Sequence, residues 1–371
     1  MKLFEYMGKD LFRRYGIPTP KGKVIQEALQ AGPVAEELGE VVIKTQILSG
    51  KRGKAGGIKF AGNPAEAVEA AQAILGQEFN GLVATEVLVE EKLQIEHELY
   101  LAIVMEGSLR GPILLASQYG GMDIEEVPEE HMVKMPIDLH VGIQPYFCKE
   151  VARRLNLTGE LGRQFSEMLV KLYRLFREKD CELVEINPLV ISGDRLIAAD
   201  AKVTIDDEAL YRQPDLPRVE ERNEAEQKAH AIGLSFVQLD GDIAIMANGA
   251  GITMATLDVI NHYGGAPANF LDAGGGANVE QTAQALELLL STNPKAIFIN
   301  IFGGITRCDD VAKAFLQVNS EKKIDVPVVI RLVGTNQELG VKLLQEQGIV
   351  AYEQMQEAAM KTVALAKGMV G

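Results

Sequence analysis

Apolar positions follow two rhythms along this chain. In the first, strands and helices of varied length are mixed. Residues 3–15 predict a short helix, ended by Gly16 and kept from resuming by Pro18 and Pro20. Residues 41–45 predict a strand. Asn63-Pro64 predicts an N-cap followed by proline at the first helical position, opening a helix to about residue 75. Strands are predicted at 82–90, 98–106 and 112–118, and a long amphipathic helix at 160–178. Residues 183–191 and 195–203 predict a hairpin.

Residues 213–227 break this pattern with two prolines, dense charge and few apolar positions, which predicts a linker ending in a helix. The second rhythm begins at Asp242. Short apolar strands near 243–247, 268–272, 296–301, 327–333 and 349–352 are each followed by a predicted helix of ten or more residues. Such alternation implies an α/β unit with a parallel sheet and helices on both faces.

Composition narrows the function. An apolar content of 47% can fill sizeable cores, and the net charge of −15 disfavours a nucleic-acid partner. Three widely spaced cysteines, Cys148, Cys181 and Cys308, make no CxxC pair and suit a reducing compartment. No apolar run reaches the length of a membrane span, and the N-terminus lacks a signal-peptide pattern, so the expected location is cytoplasmic.

The hairpin carries the first candidate chemistry. Alternation sends Leu183, Glu185 and Asn187 one way and Val184 and Ile186 the other. Polar groups on so apolar a strand need partners. With a two-residue Gly193-Asp194 turn, Asn187 falls opposite Asp200 and Glu185 opposite Lys202. Directly opposed beta carbons lie roughly 5 Å apart, close enough for an amide oxygen and a carboxylate to share Mg²⁺. A surface hairpin with a Glu–Lys cross-strand pair accounts for the same pattern.

Lys44 ends a strand just before a loop with four glycines, Gly50, Gly53, Gly56 and Gly57. Glycines let backbone amides approach phosphate closely. The loop is not a Walker A motif and, taken alone, reads equally as a flexible turn. Joined to a distant Asn–Asp pair it supplies what a Mg–triphosphate needs. Glu90 and Glu98 flank a strand junction, where a carboxylate suits a ribose hydroxyl.

In the second half, four strand-to-helix turns are rich in small residues: 248–251, 273–276, 302–305 and 333–336. Ligands bind beyond the carboxyl ends of parallel strands, and a helix starting near Ile305-Thr306 would aim its positive end there. Tight turning alone also explains the glycines. No GxGxxG with a ribose-binding acid follows the first strand, which disfavours a nicotinamide dehydrogenase. None of the five histidines lies in a glycine-rich turn.

These residues together resemble the beta subunits of succinate–CoA ligases along essentially the whole chain. The matching runs include Tyr15-Gly-Ile-Pro18, Arg52-Gly-Lys-Ala-Gly-Gly57, Gly120-Gly-Met-Asp-Ile-Glu-Glu126, Glu185-Ile-Asn-Pro-Leu-Val190, Pro267-Ala-Asn-Phe-Leu-Asp272 and Asn300-Ile-Phe-Gly-Gly-Ile305. The resemblance implies an α+β ATP-grasp domain over 1–225 and a flavodoxin-like parallel α/β domain over 236–371. It implies ATP contacts from Lys44, Lys51, Arg52, Gly53, Glu90, Glu98 and the backbone of Leu93. Mg²⁺ falls to Asn187 and Asp200, and the acid substrate to Asn248, Gly304, Ile305 and Thr306.

The family's reaction runs through a phosphohistidine on an alpha subunit, in a heterodimer or an α2β2 heterotetramer, and Glu185 matches the glutamate that contacts it. Succinate, CoA and ATP are the implied substrates; a malate–CoA ligase or related thiokinase shares the nucleotide half. The chain departs from the family's pattern at Lys51, usually a small residue, and at Val333, often acidic. Pro20 matches the ATP-preferring members.

Overall fold

The computed structural model describes residues 1–48, 53, 55–79, 81–220 and 223–368. It divides into two compact units, Met1–Glu221 and Arg222–Gly371.

The first unit begins with α1 (Glu5–Arg14), β1 (Gly22–Ile25), α2 (Ala31–Leu38), β2 (Val41–Thr45), β3 (Ile58–Ala61) and α3 (Pro64–Gln72). Asn63 caps α3 by accepting the Glu66 N–H, as its sequence predicts, although the helix stops at Gln72 rather than near residue 75. The strand expected over 82–90 is two pieces. A two-residue ladder of β4 (Glu78–Phe79) and β5 (Leu82–Val83) comes first, and β6 (Val87–Glu91) follows. β6 joins an antiparallel sheet of order β1-β6-β2-β3. Val41, Ile43, Val87 and Val89 of that sheet share a core with Ala31, Val34, Ala35, Ala67 and Ala71 of α2 and α3.

A second sheet follows from β7 (His97–Glu106), β8 (Gly111–Ser117), β9 (Met132–Pro136), β10 (Cys181–Ser192), β11 (Arg195–Ala198) and β12 (Lys202–Ile205). Its order is β11-β10-β7-β8-β9, with β12 also paired to β10. Between β9 and β10 run α4 (Pro145–Arg154) and α5 (Gly159–Glu178). Phe165, Leu169, Leu172 and Phe176 on one stripe of α5 pack with Leu101, Ile103, Val184, Ile186 and Leu189 of the sheet. Each such buried side chain contributes about 1.5–3 kcal/mol.

β10 changes parity where the site begins. Ile186 pairs with Leu101 but Leu189 pairs with Leu99, so the register against β7 slips by one residue across Asn187-Pro188. Leu189 therefore follows Val184 and Ile186 into the core. Val190 turns to the face that carries Glu185 and Asn187, where it meets Ile197 and Ala199.

The second unit starts with α6 (Glu224–Ala231) and β13 (Ser235–Gln238). Then β14 (Ile243–Ala247), β15 (Asn269–Asp272), β16 (Ala296–Gly303), β17 (Val328–Gly334) and β18 (Ala351–Tyr352) alternate with α7 (Ala250–His262), α8 (Val279–Ser291), α9 (Cys308–Lys322), α10 (Gln337–Gln345) and α11 (Met355–Ala366). The helix after β17 has nine residues, one short of the predicted minimum. The sheet order is β13-β15-β14-β16-β17-β18, parallel throughout except for β13, which runs antiparallel at the edge. Alternate residues serve opposite faces. Ile297, Ile299 and Ile301 pack with α8 and α9, whereas Phe298 packs with α7 and α11. Among the described residues no helix is long and apolar enough to cross a membrane.

Candidate functional site

Lys44 projects from β2 into a buried charge cluster. Its ammonium lies 3.0 Å from Glu5 Oε1, 3.0 Å from Glu90 Oε2 and 2.7 Å from the Ala199 carbonyl oxygen. Lys9, from the same helix as Glu5 and wholly buried, sits behind it on these oxygens. Burial pulls the Lys9 ammonium below its usual range, and the neighbouring Lys44 charge adds to that pull against the attraction of Glu5 and Glu90. Burial also acts to lower Lys44, but Glu5, Glu90 and Asp200 outweigh it and hold its proton more firmly than in water. Glu90, expected to offer a carboxylate to a ribose, is only 1% exposed, and Lys9 holds both its oxygens. Glu98, half-buried at the start of β7, is the carboxylate of that pair with an open side, and burial raises its pKa.

The hairpin holds the predicted register on both sides of its centre. Ser192 pairs with Arg195, Leu189 with Ala198 and Glu185 with Lys202. Ala199 N–H donates to Pro188 O at 3.1 Å, after which the return strand is interrupted until Lys202. Asp200 lies in that interruption and Asn187 in the matching gap between the paired stretches of β10, so neither is in a ladder. Asn187 Oδ1 accepts the Gly121 N–H at 2.8 Å, and its Nδ2 donates to Met122 O at 3.0 Å. Asp200 Oδ1 accepts the Ala201 N–H at 2.7 Å.

Glu185 accepts a hydrogen bond from the Tyr100 hydroxyl at 3.1 Å. Burial raises its pKa against the opposing pull of Lys202 and Tyr100. Leu93 packs beside Val190, Ile197 and Ala199, an apolar shelf one residue from Asp200. Gly53 lies in the turn after β2, and its carbonyl accepts the Gly56 N–H at 3.1 Å. Lys51 and Arg52 lie outside the described residues. Lys44, Glu90 and Asp200 are thus brought together, with Asn187, Glu185 and Leu93 on the neighbouring hairpin face.

This donor set suits Mg²⁺. Among the described residues no three His, Cys, Asp or Glu side chains converge as a metal cage. One neutral amide oxygen and one carboxylate fit a hard cation that takes its remaining ligands from water and phosphate.

The second unit gathers its own predicted residues at the carboxyl edge of the sheet. The Asn248 carboxamide pairs with both backbone groups of Phe302, each at 2.9 Å. Asp272 Oδ1 accepts from Gly249 N–H at 2.6 Å and Gly274 N–H at 2.7 Å. Thr306, almost fully buried, accepts the Gly276 N–H at 3.1 Å. Thr335 donates to Gly304 O at 2.7 Å. Four turns therefore lock into one layer, with Gly304 and Ile305 exposed on it. The helix beyond begins at Cys308 with Arg307 as its N-cap, two to three residues later than expected.

Sequence reasoning missed Lys9 and Tyr100. Glu5 and Lys9 are four apart on a helix, a spacing common in exposed ion pairs, and the signal for their burial is that they share a stripe with Phe12. A cavity of about 680 Å³ is lined by Phe176, Arg177, Asp180 and Thr204 and by none of the predicted residues. A smaller one of about 300 Å³ reaches Lys9 and Glu90 past Tyr6 and Arg13.

Comparison with known proteins agrees with this two-part layout. The ATP-grasp domain family matches residues 2–191 and the CoA-ligase family residues 246–369. The succinate–CoA ligase (ADP-forming) subunit beta of Ignicoccus hospitalis is 45% identical over 375 residues, covering 99% of this chain and 100% of that one. The GDP-forming counterpart of Thermus thermophilus is 44% identical over 377 residues, again across 99% and 100%. Among solved structures, ATP citrate lyase from Methanothrix soehngenii superposes with a TM-score of 0.75 at 21% identity over 99% of both chains, which speaks to the fold alone. With both domain families in order and full-length identity at this level, the chain belongs to the succinate–CoA ligase subunit beta family.

Proposed function

We propose that this subunit of an ADP-forming succinate–CoA ligase binds Mg–ATP on the hairpin face of its first unit and directs the terminal phosphoryl group to a histidine on an alpha subunit. Lys44 grips phosphate oxygens from β2, helped by the loop through Lys51, Arg52 and Gly53. Leu93, Val190 and Ile197 offer an apolar shelf to the base, and Glu98 an acceptor to the ribose. Asn187 and Asp200 hold the metal, which when bound neutralises charge on the phosphates. Glu185, kept in place by Tyr100 and Lys202, faces the incoming histidine. In the second unit the Asn248–Phe302 pairing presents the Gly304–Thr306 backbone to the acid.

The phosphoryl group then passes to succinate, and CoA displaces it as phosphate. The alpha chain completes a heterodimer or α2β2 heterotetramer, and cytoplasm is the expected compartment. The observation that carries this reading is the approach of Lys44 to Ala199, next to Asp200, beneath the face that holds Asn187 and Glu185. Its test is Asp200→Ala in the two-chain enzyme. Labelling of the partner histidine from γ-labelled ATP should fall by about a hundredfold or more. Undiminished labelling would reject the assignment.

A further inference from the structure

Lys9 and Lys44 meet on the same three oxygens. Glu5 Oε1 lies 2.7 Å from the Lys9 ammonium and 3.0 Å from that of Lys44. Glu90 Oε2 lies 2.6 Å and 3.0 Å from them, and the Ala199 carbonyl oxygen 2.8 Å and 2.7 Å. Lys9 also takes Glu90 Oε1 at 2.7 Å. The two differ in access: the Lys9 side chain is 1% exposed and that of Lys44 12%.

A lysine held by buried carboxylates is a poor phosphate ligand unless something replaces it when it leaves. Withdrawing the only cation from two buried carboxylates is costly, because each loses a charge-assisted partner that water cannot replace. Here each oxygen that Lys44 would release still has Lys9 beside it.

We propose that Lys9 is a positioning residue for nucleotide binding, a resident counter-cation that stays on Glu5, Glu90 and Ala199 while Lys44 turns to the phosphates. The inference rests on the reading of Lys44 as a phosphate ligand. It assigns to α1 a part in substrate binding although Lys9 itself touches no nucleotide. It also explains why a second lysine is buried at full desolvation cost where one would neutralise a carboxylate. Glu5 and Glu90 are two charges, and when Lys44 leaves, Lys9 remains on Glu5 and on both oxygens of Glu90.

The test is the kinetics of the enzyme assembled with its partner chain, for Lys9→Met, Lys9→Met/Glu5→Gln and Lys44→Met. In K9M, Lys44 is left as the lysine bridging both carboxylates, so KM for ATP should rise about tenfold while KM for succinate stays within about twofold. Removing one carboxylate in K9M/E5Q should bring KM for ATP back at least halfway on a logarithmic scale. A merely structural Lys9 predicts lower Tm with both KM values unchanged, and that result would overturn the proposal. So would an equal rise in KM for ATP in K9M and K9M/E5Q. Should K9M not accumulate, Lys9→Gln is judged by the same outcomes. K44M separates the two ideas. Wild-type KM for ATP in K44M would sink the parent reading, whereas a damaged K44M beside a normal K9M would sink only the role of Lys9.

Discussion

Asn187 accepts the Gly121 N–H on its side-chain oxygen at 2.8 Å, while its own amide donates to the next carbonyl, that of Met122. A carboxamide bound this way has its oxygen and nitrogen ends fixed. Its oxygen keeps one lone pair for another partner. The loop after β8 is thus strapped over the hairpin, and the strap orients a proposed metal ligand. The Gly120 N–H donates to Glu98 O at 3.0 Å, so the same loop also rests on the start of β7.

Gly121 has φ +72°, and a Cβ there would collide with Glu98 Oε2. Gly121→Ala therefore has two effects. The left-handed backbone costs about 1–2 kcal/mol, and the methyl group pushes Glu98 aside. Thermal unfolding should show a small loss of stability. Kinetics should show a larger rise in KM for ATP than in KM for succinate.

The half-buried Glu185 should give a pH signature. Its pKa is raised, with burial the main cause. A raised carboxyl pKa means that its stability contribution is full below the ordinary glutamate range, near about 4.3, and is lost as pH climbs through the folded value. Glu185→Gln keeps an acceptor for Tyr100 and removes that loss. Its Tm relative to the parent protein should therefore grow as pH rises from about 4 toward neutrality. Phosphoryl transfer should fall in the same variant. Opposite signs for stability and activity would separate a site residue from a structural one.

Asp309 behaves in the reverse sense. Its side chain is buried at the start of α9, where Lys313, Arg307 and Asn336 donate to it and hold its carboxyl far below the usual range. Stability of that kind is present above the ordinary aspartate pKa and lost as pH falls. Asp309→Asn should lower Tm by a constant amount at neutral pH, and the deficit should narrow below about pH 4. Melting curves across that range check it.

The second unit was legible because its signals are strong. Runs such as Ile243–Ala247 are apolar on both faces, as strands covered on both sides must be, and four of the helices that follow these strands start soon after a small-residue turn. The hairpin register was legible from Gly193-Asp194, since turn length sets pairing. What stayed hidden has a common cause. β1, β3 and β9 are four or five residues long, with exposed lysines in β1 and β9 and an exposed phenylalanine in β3, and the helices α2 and α4 carry glycine, proline or arginine-rich stretches that dilute periodicity. The break at 199–201 depends on the carbonyl of Ala199 turning to two lysines from remote elements, which no local pattern encodes. A buried lysine is the hardest of all to foresee, because its partners Glu90 and Ala199 lie 81 and 190 residues away.

The convergence of Lys44, Asn187 and Asp200 on one Mg-bound nucleotide is most directly tested by a crystal structure of the two-chain enzyme with ADP and Mg²⁺. The expected density places the ion about 2.1 Å from Asn187 Oδ1 and from an Asp200 oxygen, with the Lys44 ammonium on a phosphate. Nucleotide density elsewhere, or an ion that neither residue touches, would contradict it.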